Sequence, residues 1–180
     1  MELRVLYDQE VQSEIEAILR EAFSTVTNAR FITAVGYGVL TNDTGTMFVP
    51  VIGFPSEKSD SVSYSDFQFD AISWLWGAPE PAATRGSSLL NSLYEHCEDD
   101  DNDSNWHQEF QSRSYHILVR ALEQLRKEGF FPSKNEAFVT VWVVDSDKPN
   151  IRGRSWAKRL NPTNKYLEFV AWLDRVYGVV

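Results

Sequence analysis

The sequence predicts an α+β fold: an antiparallel or mixed sheet, a single layer of strands, with helices packed against it. Three observations predict this. Long segments repeat apolar residues at three- and four-residue steps. Shorter segments are rich in β-branched and aromatic residues. Their order is helix, hairpin, mixed segment, two helices, strand, helix, which is not the regular alternation of a doubly wound fold. The 180 residues suit one α+β domain spanning 1–180, without internal repeat or linker.

The first helix is expected from Asp8 to Val26, with Val11, Ile15, Ile18, Leu19, Ala22, Phe23 and Val26 on its apolar stripe. A strand from Phe31 to Leu40 follows, with Phe31, Thr33, Val35, Tyr37 and Val39 on one side. Asn42-Asp43-Thr44-Gly45 supplies the turn. The return strand is Thr46 to Gly53, where Pro50 argues for an edge strand or a bulge. Residues 55–63 read as a loop. Phe67 and Phe69 suggest a strand, Asp70 to Trp74 a helical turn, and Gly77 to Pro81 a break.

A helix from Ser87 to Cys97 buries Leu89, Leu90, Leu93 and Tyr94. The run Glu98 to Asp103 has no apolar residue and reads as a mobile loop, with Asp103 or Ser104 capping the next helix. That helix extends to Glu128 on Phe110, Ile117, Leu118, Ala121, Leu122 and Leu125, and Gly129 occupies the left-handed cap position. Ala137 to Val144 is nearly continuous in apolar residues, which predicts a central strand covered on both faces. A last helix starts at Asn161-Pro162 and carries Tyr166, Phe169, Val170, Leu173 and Tyr177.

The net charge is −9, which disfavours nucleic acid and anionic membrane surfaces and is compatible with a basic protein partner, though surplus acid that only keeps the protein in solution is the default reading. Cys97 is the single cysteine, so no intramolecular disulfide forms. The opening residues carry no apolar signal core and no long apolar run follows. The expected location is therefore cytoplasmic.

Candidate chemistry is sparse. His96, Cys97, His107 and His116 lie in one stretch but lack zinc-type pairing, so they read as exposed or core side chains. A calcium register from Glu98 to Glu109 fails at its sixth position, where Asp103 replaces the required glycine. Asp145 and Asp147 end the best strand, where α/β enzymes often keep acids, yet such residues also terminate strands by local hydrogen bonds. Lys148, Arg152, Arg154, Lys158, Arg159 and Lys165 give the segment 148–165 a charge of +6, leaving −15 for the rest of the chain. These cations bind either an anionic partner or the protein's own carboxylates, and Trp156 sits among them as an interface anchor or a core residue. No nucleotide, nucleophile-elbow or zinc-protease motif is present. No catalytic residue, cofactor site or metal site is assigned. Asp145, Asp147, Arg152, Arg154, Trp156, Lys158 and Arg159 are the candidate ligand or partner contacts.

The run Ser155-Trp156-Ala157-Lys158-Arg159-Leu160-Asn161-Pro162, followed by Tyr166, Phe169 and Trp172, resembles the tail of bacterial domain-of-unknown-function family 4303. The helix end Glu128-Gly129-Phe130-Phe131 and the strand ending at Asp145 or Asp147 match in order. Ser73-Trp74-Leu75-Trp76 departs from the family's tryptophan-centred stretch. The resemblance implies no catalytic residues. It implies a neutralising, protein-binding role, as expected of immunity proteins beside bacterial toxins. The expected function is thus a protein-binding module, with a toxin-like basic partner. The alternative is a small enzyme or ligand-binding domain using Asp145, Asp147, Arg152 and Arg154.

Overall fold

A computed structural model describes residues 2–26, 33–55, 63–74, 76–77, 80–100, 105–131, 137–144 and 150–178. In chain order the elements are α1 (Glu2–Ser24), β1 (Gly36–Thr41), β2 (Val49–Gly53), the single turn α2 (Tyr64–Phe67), a 3-10 turn (Ala71–Ser73), β3 (Trp76–Gly77), α3 (Glu80–Asp100), α4 (Trp106–Lys127), β4 (Phe138–Val143), α5 (Asn150–Leu160) and α6 (Thr163–Tyr177). The sheet runs β3-β2-β1-β4. β1 is antiparallel to β2 and parallel to β4, while β2 is antiparallel to β3. This is a mixed α+β sheet, open rather than closed into a barrel.

Alternation along the strands feeds two cores. Tyr37, Val39, Ile52, Val139 and Val141 meet α1, α3 and α4, and Val11, Ile15, Ile18, Leu19, Ala22, Phe23 and Val26 are all buried there. Val51, Phe138 and Trp142 face the other way, toward Phe67, Phe69, Trp74 and the Phe169, Trp172 and Leu173 stripe of α6. Helices therefore cover both sheet faces.

Several sequence expectations need correction. β4 is covered on both faces but is an edge strand, not a central one. A continuous apolar run reports what covers its faces and is blind to how many strands flank it. β2 is conversely not an edge, although β3 pairs with it only at Val51 and Ile52, leaving Pro50 outside that ladder. Val35 precedes β1 and lies in the opposite core from Tyr37 and Val39. Phe67 and Phe69 are buried in or beside a helical turn, not a strand. Asp70 caps the 3-10 turn by accepting from Ile72 N–H at 3.2 Å. α3 starts at Glu80, earlier than Ser87, and continues through Glu98–Asp100, so the first half of the acidic run is helix. Residues 101–104, with both expected caps, lie outside the described residues, and Asn105 occupies the N-cap position of α4. The segment before Asn161 forms α5, a helix the basic composition concealed. Most of residues 55–63, and the start of the Phe31 strand, lie outside the described residues.

The turn at 42–45 forms as expected. Asn42 Oδ1 accepts from Thr46 N–H at 2.9 Å and Met47 N–H at 3.0 Å, and Gly45 has φ of 80°. Helix α4 then fastens the turn: Ser114 Oγ donates to Gly45 O at 2.5 Å, and Tyr115 OH donates to Asp43 O at 2.9 Å. The C-terminus of α4 closes with Phe130 N–H to Leu125 O at 3.0 Å and Gly129 N–H to Arg126 O at 3.0 Å, a Schellman pair.

An edge strand leaves backbone groups without a neighbour. On β4 the side chain of Asn161 supplies one. Val139 N–H donates to Asn161 Oδ1 at 2.8 Å, and Asn161 Nδ2 donates to Val139 O at 2.7 Å and to Ala157 O at 3.0 Å. Arg126 Nη2 adds a bond to Ala137 O at 2.8 Å. Burial pushes the Arg126 guanidinium down, but a guanidinium stays charged in the physiological range.

On the opposite face Trp74 lies against the sheet where β1 and β2 have glycine. A Cβ on Gly36 would come within 2.3 Å of the Trp74 ring, and one on Gly53 within 2.6 Å of its Nε1. The indole N–H donates to Phe67 O at 2.9 Å. The missing side chains thus form the seat for the indole, and the seat fixes the loop that carries it.

Two outcomes follow from these contacts. Asn161→Ala leaves the Val139 N–H and C=O buried without partners and should cost about 2–4 kcal/mol in urea unfolding; a change under ~0.5 kcal/mol would discard the edge-closing role. Gly36→Ala should cost about 1–3 kcal/mol by overpacking, and much less in a Trp74→Leu background. Equal costs in both backgrounds would refute the seat.

Candidate functional site

The six cations of segment 148–165 were expected to serve either a partner or the protein's own acids. Arg154 is ion-paired to Asp174 of α6, Arg159 to Glu123 of α4 at 2.7 Å, and Lys165 to Glu168 at 3.0 Å. The first two pairs join α5 to α6 and to α4, while the third lies within α6. Glu123 is raised by its burial, but hydrogen bonds and charge from Arg159 and Lys127 outweigh this and hold its carboxyl below the usual range. Lys158 is exposed. Arg152 lies on α5, and its side chain is outside the described residues. Asp145 and Asp147 also lie outside them. Arg154 turns toward Asp174 of α6, and it is the one member of the expected strand-end cluster of Asp145, Asp147, Arg152 and Arg154 whose side chain lies among the described residues.

The residues the structure does bring together lie on α4. A cleft of about 320 Å³ opens between α1 and α4, with Asp8, Gln9 and Gln12 on one wall and Arg113, His116 and Arg120 on the other. A second hollow of about 190 Å³ shares Ser112 and His116 with the first and is bounded by Tyr115 and Trp156. Residues 112, 113, 116 and 120 recur at three- and four-residue steps, which places them along one exposed ridge of α4. Trp156 is half-buried, with its indole edge-on to Tyr115 at 5.2 Å and 64°. Among the described candidate contacts from the sequence, Trp156 is the one that lines the second hollow.

Arg113, half-buried, is the anchor of this region. Its Nη2 donates to Asp8 Oδ1 at 2.8 Å, its Nε to the same oxygen at 3.2 Å, and its Nη1 to Cys97 Sγ at 2.9 Å. Burial works against its charge, but the Asp8 hydrogen bonds and charge hold the guanidinium above its ordinary value. His116 is lowered, first by burial and then by Arg120 and Arg159, with Asp8 and Glu123 pulling the other way. His96 packs against Tyr7 at 4.8 Å, and His107 stacks on Trp106 at 3.6 Å. Among the described residues no group of three His, Cys, Asp or Glu side chains could hold a metal ion. None of their helices is long and apolar enough to cross a membrane.

Reading the sequence missed Asp8, Arg113 and Arg120, and weighed His116 only as a metal ligand. The ridge on α4 was legible as polar residues at helical spacing. That α1 lies across from it was not.

Asp8→Asn should destabilise the fold by about 1–3 kcal/mol, because it strands a charged group whose side chain is 13% exposed. Arg85→Ala removes an exposed pair with Glu21 and should cost under ~1 kcal/mol. Equal costs in chemical denaturation would show that Arg113 is no anchor.

Among curated proteins and among solved structures, none matches the chain. One family matches it over residues 59–162, from the segment before α2 to Pro162 at the end of the Ala157–Pro162 run. The matched part contains Arg113, His116, Arg120, Trp156 and Asn161, while α1, the β1–β2 hairpin and α6 lie outside it. On this match, which spans more than half its length, the chain belongs to the family described as Domain of unknown function (DUF4303).

Proposed function

We propose that this chain is a cytoplasmic protein-binding module whose acidic α1–α3 side receives a basic partner, in the manner of an immunity protein that neutralises a toxin. The observation that carries this reading is the C-terminus of α3. Glu98, Asp99 and Asp100 continue that helix, and no basic residue occupies its last turn. The backbone end of a helix carries partial negative charge, and with no base in the last turn it adds to a field that attracts a cationic surface. Glu95 on α3 and Glu10, Glu14 and Glu21 on α1 are exposed on the same pair of helices. Between them runs a groove of about 300 Å³ that includes Glu14, Ile18, Leu89 and Ser92, with the Arg85–Glu21 pair near one end.

Three cations of the basic segment are engaged with carboxylates on α4 and α6, so they do not neutralise this side. A predominantly acidic face beside a partly apolar groove speeds encounter with an oppositely charged protein and gives it a place to dock.

The test is co-expression with the products of neighbouring genes. A basic product should co-purify, release as salt rises, and bind at least about tenfold more weakly to the Glu10→Lys, Glu14→Lys, Glu95→Lys variant. If no neighbour binds and deletion leaves toxin sensitivity unchanged, the reading fails.

A further inference from the structure

The cleft beside α4 is separate from the acidic side and has the opposite character. Its two hollows share Ser112 and His116 in their linings, so they adjoin along α4 between the α1 wall and Trp156. Three arginines border or influence it, and they are not equivalent. Arg113 is taken up by Asp8, and Arg159 by Glu123. Arg120 is exposed and has no ion-pair partner among the described residues. The uncompensated positive charge of the cleft is therefore Arg120, one helical turn from His116. A guanidinium beside an imidazole, with the Ser112 hydroxyl and the Gln9 amide nearby, is a donor set suited to a phosphoryl group. Gln12 is partly committed, since its Nε2 donates to Glu16 at 2.8 Å.

The second hollow has a different chemistry. Tyr115 is fixed by its hydroxyl bonds to Asn42 O and Asp43 O, and Trp156 is set edge-on against it. A rigid aromatic pair of this kind offers a stacking wall to a flat ring. Together the hollows fall within the size range of small-ligand sites.

We propose that this pair of hollows binds a small aromatic phosphate of the mononucleotide type, with the phosphate at Arg120 and His116 and the flat ring against Trp156. Burial, and then the positive field of Arg120 and Arg159, lowers the His116 imidazole below its ordinary value, against the weaker pull of Asp8 and Glu123. A bound dianion reverses that balance, which provides a readout a passive surface residue would not show.

The experiment titrates the full-length protein with AMP, adenosine and inorganic phosphate. It follows the His116 imidazole by NMR and affinity by calorimetry. AMP should bind saturably and raise the His116 pKa, with adenosine and phosphate each at least about tenfold weaker. Arg120→Ala should lower AMP affinity at least about tenfold, and Trp156→Leu should abolish the advantage of AMP over phosphate. Arg120 and His116 are exposed, so Arg120→Ala and His116→Gln decide the matter even where Trp156→Leu fails to fold. Absence of saturable AMP binding, or unchanged binding in Arg120→Ala, overturns the site. Phosphate binding as strong as AMP overturns the aromatic half of it.

Discussion

The open edge of β4 is the constraint on which the arrangement of the C-terminal half depends. A strand buried on both faces cannot leave its outer N–H and C=O groups to water, and an exposed edge would invite pairing with another chain. Asn161 answers both problems with one amide, which accepts from and donates to the same residue, Val139. This works only where the α5–α6 junction lies beside β4. Ala157 and Leu160 are fully buried to hold α5 there, and Pro162 begins the turn into α6. The Ala157–Pro162 run, at which the family match ends, is thus explained by architecture: two buried apolar residues, an edge-closing amide and a helix start.

Charge follows from the same placement. With α5 set against the sheet edge, its arginines reach Glu123 on α4 and Asp174 on α6. The basic segment becomes a clasp between helices. Exposed ion pairs of this kind contribute little to stability; their larger effect is to leave the acid of α1 and α3 without counterions from this segment. The molecule then presents exposed acids on α1 and α3, and along α4 a cleft bordered by Arg120 that adjoins a second hollow at Trp156.

The two cores differ in how they are made. The α1, α3 and α4 side combines largely aliphatic stripes on long helices with rings such as Phe23, Tyr37, Phe110 and Phe131. The other side is aromatic: Phe69, Phe138, Phe169 and Trp172 pack within 4.8–5.9 Å of one another. Trp74 completes it by filling the space that Gly36 and Gly53 leave open.

What the sequence determined by itself was whatever depends on local spacing. The buried face of α1, the stripe of α4, the left-handed cap at Gly129 and the turn at Asn42–Gly45 are all set by residues within a few positions of one another. β4 as a strand covered on both faces was legible for the same reason. What only the tertiary structure decided was which distant segments become neighbours. The edge position of β4, the pairing of Arg159 with Glu123, and the meeting of Asp8 with Arg113 join residues far apart in the chain, and no periodicity encodes them. Helix α5 was concealed because its polar, arginine-rich surface hides the few apolar contacts, Trp156, Ala157 and Leu160, that fasten it. Those contacts acquire meaning only when β4 and α4 are there to receive them.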